Sequence, residues 1–365
     1  MKKHKPKKII FIQLNNDLSG STKVLSDIVD VANSINLSSE LHASNSYSVG
    51  FLSDKENMSS TYFYKRFDNK FLTLFSYAIS QVILFFQMLK YFRTDCIFYI
   101  NTMMPFGAAL AAKIMGKYVI FHIHETSIQK LLKLFLRFII KLTASELVYV
   151  SKHLAQNEKF KGIKSKIIYN SLSRSLEIDA KKNNYIYDNS SFIVLMVCSL
   201  KDYKGINELI EISKFCEKNI NISFEIVLNA NSQEISKYFK NKVISDNLTI
   251  YTKQSDLVPF YKRSQLVLNL SRIDEWIETF GLTILEAMAF GIPVIVPPVG
   301  GPTEIVRNEV DGFQISSYNT NEIAEKIIEL SKNNNLCYKI SKNCIDRSHY
   351  FSFNTFEKKI KEIIS

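Results

Sequence analysis

The chain has 365 residues, 46% of them hydrophobic, a length and apolar content that suggest two domains with two cores. Its five cysteines are an odd number with no CxxC pair, which argues against a disulfide framework and for buried thiols in a reducing compartment. The formal net charge of +11 is unevenly placed: residues 1–180 hold 24 Lys+Arg against 13 Asp+Glu, and the remainder holds equal numbers. An excess confined to one half suggests a polyanionic partner, either nucleic acid or an anionic membrane.

Residues 8–12, KIIFI, read as a buried strand, and Ser19-Gly20-Ser21 leads into a helix with Val24, Leu25, Ile28 and Val31 on one face. The opening is basic, but polar Asn15-Asn16-Asp17 follows the strand and no signal-type apolar region is expected, so a cytoplasmic protein is. A strand, a glycine loop and a helix are a weak phosphate signal without a full GxGxxG. Gly20 fits a phosphate loop or a tight turn needing positive φ.

Residues 71–89 carry no charge and are long enough to span a membrane. Thr73, Ser76, Ser80, Gln81 and Gln87 dilute them, and a span would divide the first domain. A buried or surface-docked helix is expected. Residues 97–100 form the next strand, 107–115 a helix, and 118–125, YVIFHIHE, another strand. His122 and His124 then point to one face at the strand's C-terminal end, where α/β sheets bind ligands. Zinc is the rival reading, but two histidines without a suitably spaced third ligand make a poor metal site.

Residues 128–142, IQKLLKLFLRFIIKL, place Lys130, Lys133, Arg137 and Lys141 on one helix face. Such a basic amphipathic helix suits a membrane interface or covers a sheet with its exposed stripe basic. Residues 173–191 are polar and aperiodic and read as a linker. Residues 192–197 are an apolar strand, and 199–205 read SLKDYKG. Further strands are expected at 223–229, 247–252 and 266–271, with helices at 232–240 and 256–263. Their order gives a parallel, doubly wound sheet. Residues 351–364 read as a final amphipathic helix.

The stretch from Ser271 to Val310 organises the rest. It reads as a loop, a helix, an apolar strand (Pro293 to Val296), a Gly300-Gly301 loop and a second helix. Glu278 falls before the first helix and Glu286 one turn inside it. Between them, Thr279-Phe280-Gly281-Leu282 would present backbone N–H groups at a helix N-terminus, a site for a diphosphate. A carboxylate on each side of such a site suits neutral hydroxyl groups of a ribose or hexose.

Residues 278–295, ETFGLTILEAMAFGIPVI, resemble without a gap the Glu-x7-Glu signature of the retaining glycosyltransferases of family 4. The resemblance implies the GT-B fold: two Rossmann-like α/β domains, each a doubly wound parallel sheet, facing a cleft. On that reading residues 1–172 bind the acceptor, 173–191 link, 192–350 bind the nucleotide-sugar, and 351–365 cross back to the first domain. Residues 147–151 and 167–170 resemble the last strands of the family's N-terminal domain.

The resemblance implies a retaining, metal-independent transfer from a nucleotide-sugar, UDP- or GDP-linked, with no cofactor and no metal site. Lys204 would clamp the diphosphate together with the N–H groups of Phe280, Gly281 and Leu282. Ser199 stands where the family usually has Arg and brings no charge, so Lys201 is a second candidate cation. Glu286 would hold ribose hydroxyls and Glu278 sugar hydroxyls. Gly20 would lie against the donor diphosphate, and His124, followed by Glu125, near the donor sugar; His122 itself reads as a core histidine or as one that supports His124. The basic first half suits a lipid-linked saccharide acceptor at the cytoplasmic membrane face, in assembly of polysaccharide, lipopolysaccharide or capsule. A GT-B sugar-nucleotide epimerase and a basic nucleic-acid-binding protein are the alternatives. The second is disfavoured by the neutral C-terminal half and the lack of RNP, KH or zinc patterns.

Overall fold

The computed structural model describes residues 6–45, 50–56, 58–125, 129–183, 185, 187 and 191–365. The chain divides into two compact units, residues 1–170 with 354–365, and residues 171–353.

The first unit runs β1 (Lys8–Ile12), α1 (Gly20–Ser34), β2 (Ser38–Ser44), β3 (Met58–Tyr62), α2 (Lys70–Met88), β4 (Cys96–Asn101) and α3 (Phe106–Ile114). It continues through β5 (Tyr118–Ile123), α4 (Lys130–Thr143), β6 (Glu146–Tyr149), α5 (Lys152–Asn157) and β7 (Lys164–Ile167). Its sheet has seven strands in the order β3-β2-β1-β4-β5-β6-β7, with every described pairing parallel. Central strands are covered on both faces, which is why β1 reads KIIFI and is buried from Ile9 to Ile12. Every crossover needs a helix or loop outside the sheet, so all the C-terminal strand ends open on one edge.

The second unit begins with α6 (Arg174–Lys181), followed by β8 (Phe192–Cys198), α7 (Ile206–Phe215), β9 (Ile222–Leu228), α8 (Ser232–Phe239), β10 (Leu248–Tyr251) and α9 (Val258–Arg263). Then come β11 (Leu266–Leu268), α10 (Leu282–Ala289), β12 (Val294–Val296), α11 (Pro302–Ile305), β13 (Phe313–Gln314), α12 (Thr320–Leu330) and α13 (Asn334–Ser348). Its sheet is also parallel, in the order β10-β9-β8-β11-β12-β13. The last helix, α14 (Phe353–Ile364), has all but its first residue in the first unit.

Two local expectations change. The stretch expected to be a linker contains α6, capped by Ser173, whose Oγ accepts the Leu176 N–H at 3.4 Å. The helix hides from a period search because only Ala180 of its eight residues is buried. Gly20 is the first residue of α1 and helical, so the positive-φ turn does not occur there.

The expected basic stripe of α4 also changes. Lys133 and Arg137 do not project alone: both pair with the buried carboxylate of Glu158, Arg137 at 2.5 Å. Lys130 and Lys141 remain exposed at its two ends, and Ile128 lies outside the described residues.

Candidate functional site

In the second unit the site grows from the ends of β8 and β11. A single 3₁₀ turn, Asp202–Lys204, follows β8 and stops at Gly205, which has φ +84° and caps α7. A Cβ at Gly205 would stand 2.2 Å from the Leu270 carbonyl oxygen, so only glycine lets this turn sit against the chain leaving β11. Arg272 fastens the two together. Its N–H donates to the Tyr203 carbonyl at 2.9 Å, and its guanidinium donates to Glu208 at 2.6 Å and to Glu275 at 2.7 Å.

That scaffold brings Lys204 and Glu278 into contact, with Lys204 Nζ donating to Glu278 Oε2 at 2.6 Å. Both side chains are largely buried, at 15% and 19% exposure, so water screens the pair only in part. The Trp276 ring lies beneath the ammonium, 5.3 Å from centroid to Nζ, and stacks on Tyr203 at 4.9 Å and 15°. A cation over an indole face is held by the ring quadrupole. Trp276, Tyr203 and Arg272 were not singled out in the sequence. The only signal for them was proximity to motif residues.

Glu278 also leads into α10. Gly281 precedes the helix at φ +106°, and no side chain caps it. The first N–H groups of the helix are therefore not taken up by a capping side chain, as an anion site requires. Phe280 is buried against Phe351, at 5.9 Å between ring centroids, so only its backbone is offered to a ligand. Leu282 opens the helix. Glu286 stands one turn inside, 5% exposed, and accepts the Tyr261 hydroxyl at 2.7 Å. Ser199 follows β8 directly, its carbonyl accepting the Lys201 N–H at 2.8 Å, while the Lys201 side chain is exposed.

In the first unit, His124 stands just past β5. Asn101, the last residue of β4, gives its Nδ2 hydrogens to Gln13 Oε1 at 2.8 Å and to the Ser21 carbonyl at 3.0 Å. Its Oδ1 must then accept from His124 Nε2, at 2.9 Å. One amide thus ties His124 to the start of α1, where Gly20 lies. Burial holds His124 neutral by lowering its pKa to about 3, which leaves Nδ1 as an acceptor. His122 is fully buried, its Nδ1 3.0 Å from the Tyr99 hydroxyl and its ring 4.1 Å from that of His124.

Glu125 accepts the Met103 N–H at 2.7 Å and that of His124 at 3.2 Å. Burial nevertheless pushes its carboxyl up to about 7, with those N–H groups pulling the other way. A carboxyl raised from 4.5 to about 7 gives the folded state more bound protons than the unfolded state between those values. Its contribution to stability is therefore present at low pH and is lost as pH rises through about 7. Glu125→Gln stays neutral. The stability of the wild type minus that of the variant should fall across this window in denaturant titrations. A flat difference would show that Glu125 does not titrate there. His124 and His42, lowered to about 3 and about 4, act in the opposite sense and drop out of the subtraction.

These arrangements can be set beside known proteins. Residues 177–347 match the family model described as glycosyl transferases group 1. The chain is superimposable on Anabaena HepE in complex with UDP-glucose with a TM-score of 0.78, covering 98% of this chain and 99% of that one at 19% identity. The fold is GT-B. The GT-B chain is 39% identical over 88 residues to a sucrose synthase of Melioribacter roseus, covering 23% of this chain and 11% of that one. It is 25% identical over 203 residues to the N-acetyl-alpha-D-glucosaminyl L-malate synthase of Bacillus anthracis, covering 53% and 52%. The chain thus spans from about a tenth to about half the length of these two relatives.

Proposed function

We propose that the protein is a retaining glycosyltransferase of family 4 that moves a sugar from a nucleotide-sugar, UDP- or GDP-linked, to a saccharide acceptor. The observation that carries the reading is the Lys204–Glu278 pair set at the uncapped N-terminus of α10, with Glu286 one turn further on. The segment holding these residues lies within the group 1 match, and HepE was solved with UDP-glucose.

In this reading the hard step is departure of the nucleoside diphosphate, when negative charge grows on the leaving oxygen. Lys204 turns from Glu278 to the diphosphate, and the N–H groups of Phe280 to Leu282 receive the same charge from the helix end. These groups are fixed before the bond breaks, so little reorganisation is needed. Glu278, released from Lys204, accepts sugar hydroxyls, and Glu286 accepts those of the ribose. Retention follows if the acceptor attacks the face the diphosphate leaves. A lysine and a helix end in place of a metal ion make the reaction metal-independent.

The acceptor is lipid-linked, at the cytoplasmic membrane face, in cell-surface polysaccharide assembly. The charge excess of the first half supports this part of the proposal. A thermal-shift panel of UDP-, GDP-, ADP- and CMP-sugars should show one stabilising donor, and turnover of that donor should survive EDTA in metal-stripped buffer. No stabilisation by any donor would overturn the transferase reading. Activity lost in EDTA and restored by Mn²⁺ would overturn the metal-free mechanism alone.

A further inference from the structure

Helix α2 turns a strongly apolar face outward. Its buried face mixes Ser76, Ser80 and Gln81 with Tyr77, Leu84 and Met88, whereas Phe71, Phe75, Val82 and Phe86 are 84%, 65%, 56% and 65% exposed. Those four recur at spacings of four, seven and four and so share one helix face. The buried face is firmly held. Gln81 Oε1 accepts the Gly107 N–H at 3.1 Å, Tyr77 donates to the Met104 carbonyl at 2.5 Å, and a Cβ at Gly107 would collide with the Gln81 carbonyl. The orientation is therefore built in, and the apolar face is the one left outward.

Helix α4 carries a second exposed apolar face. Leu131 and Phe138 are 82% and 63% exposed, while Leu136, Ile139 and Ile140 are buried. Helix α3 packs between the two: Phe106 meets the buried Tyr77 of α2 at 5.8 Å and Phe135 of α4 at 5.1 Å between ring centroids. None of the three helices contains Asp or Glu, and Lys70, Lys113, Lys130 and Lys141 lie on them. Exposed apolar area of this kind, on two helices packed against one neighbour, marks an interaction surface. Its lack of acidic charge and its lysines fit an anionic bilayer. Although α2 is long and apolar enough to cross a membrane, β3 before it and β4 after it belong to one sheet, which rules out a span.

We propose that the first unit seats in the membrane interface through the apolar faces of α2 and α4, with side chains entering the acyl boundary and the lysines meeting anionic headgroups. The proposal rests on the peripheral-membrane reading above and changes its mechanism. Apolar insertion holds the protein, and charge only steers it. Attachment by the four basic residues of α4 alone would be released by salt, because the Debye length shrinks from about 10 Å at 0.1 M to about 3 Å at 1 M. Insertion persists.

The test is co-sedimentation with phosphatidylglycerol–phosphatidylcholine vesicles at those two salt concentrations. The wild type should stay bound at the higher one. Phe71→Ser/Phe75→Ser/Phe138→Ser should lose about tenfold or more in partitioning at both, with circular dichroism unchanged because the residues are exposed. Replacing Lys130 and Lys141 by Gln should weaken binding only at low salt. Three results would overturn the proposal: a triple variant that sediments like wild type, complete release of wild type at high salt, or a lipid-free dimer that the triple variant dissolves. The last would assign the surface to a second copy of the chain. Donor-induced thermal shifts measured without vesicles keep this outcome separate from that of the transferase reading.

Discussion

Lys204→Ala should lower kcat and kcat/KM together, by about a hundredfold, which corresponds to about 3 kcal/mol of lost transition-state stabilisation. The lysine contributes most when the diphosphate departs, so the loss should not appear mainly in the donor KM. The same substitution strips Glu278 of its partner at 2.6 Å and leaves a largely buried carboxylate unpaired, which lowers stability as well. Lys204→Ala/Glu278→Gln isolates the stability effect, which it should recover, and Glu278→Gln alone sets the rate against which the double variant is read. Glu286→Gln provides the contrast, because ribose hydroxyls do not change during the reaction. That is uniform binding, so KM should rise with kcat nearer intact. If Lys204→Ala keeps the wild-type kcat while KM alone rises, the leaving-group role is wrong and Lys201 is the next candidate.

The sheets were legible because strands covered on both faces are short, wholly apolar runs, and β1, β8 and β12 each announce themselves that way. The start of α10 was legible for a different reason, since a helix N-terminus between two carboxylates is a local pattern. What joins Lys204 to Glu278 is not local. They are 74 residues apart, and their pairing depends on Gly205 fitting against Leu270 and on Arg272 reaching Glu208. Period alone is incomplete on α2 and α4. It shows that Phe71, Phe75, Val82 and Phe86 share a face, but the face a helix turns inward is decided by its neighbours. The contacts of Gln81 and Tyr77 decide it here, with Leu84 and Met88 buried on the same face. The stripe of α4 failed similarly, because Glu158 neutralises two of its four cations from outside the helix.

Gly301→Ala should abolish donor binding, although alanine is a better helix former than glycine. Gly301 has φ −56° and ψ −37°, where any residue is at ease, so the backbone itself is no obstacle. The obstacle is contact. A Cβ there would stand 2.4 Å from both Phe280 Cα and the Thr279 carbonyl oxygen, and its own N–H donates to the Glu278 carbonyl at 2.8 Å. The atoms met are backbone, which cannot swing aside as a flexible side chain would. The segment 278–280 must move, carrying Glu278 away from Lys204 and turning the first N–H groups of α10 off their line. Positions of the reacting groups matter at the level of about 1 Å, so a shift of that size is enough to lose the donor. Gly116→Ala supplies the control. It has φ +66° but nothing within 4 Å of the added methyl, so it should cost about 1 kcal/mol of stability from backbone strain and leave donor affinity unchanged. Thermal melting and donor titration of both variants would distinguish these outcomes. A Gly301→Ala protein that binds donor like wild type would mean that residues 278–280 can yield without loss of the site, and that the Gly300-Gly301 turn is only a connection to α11.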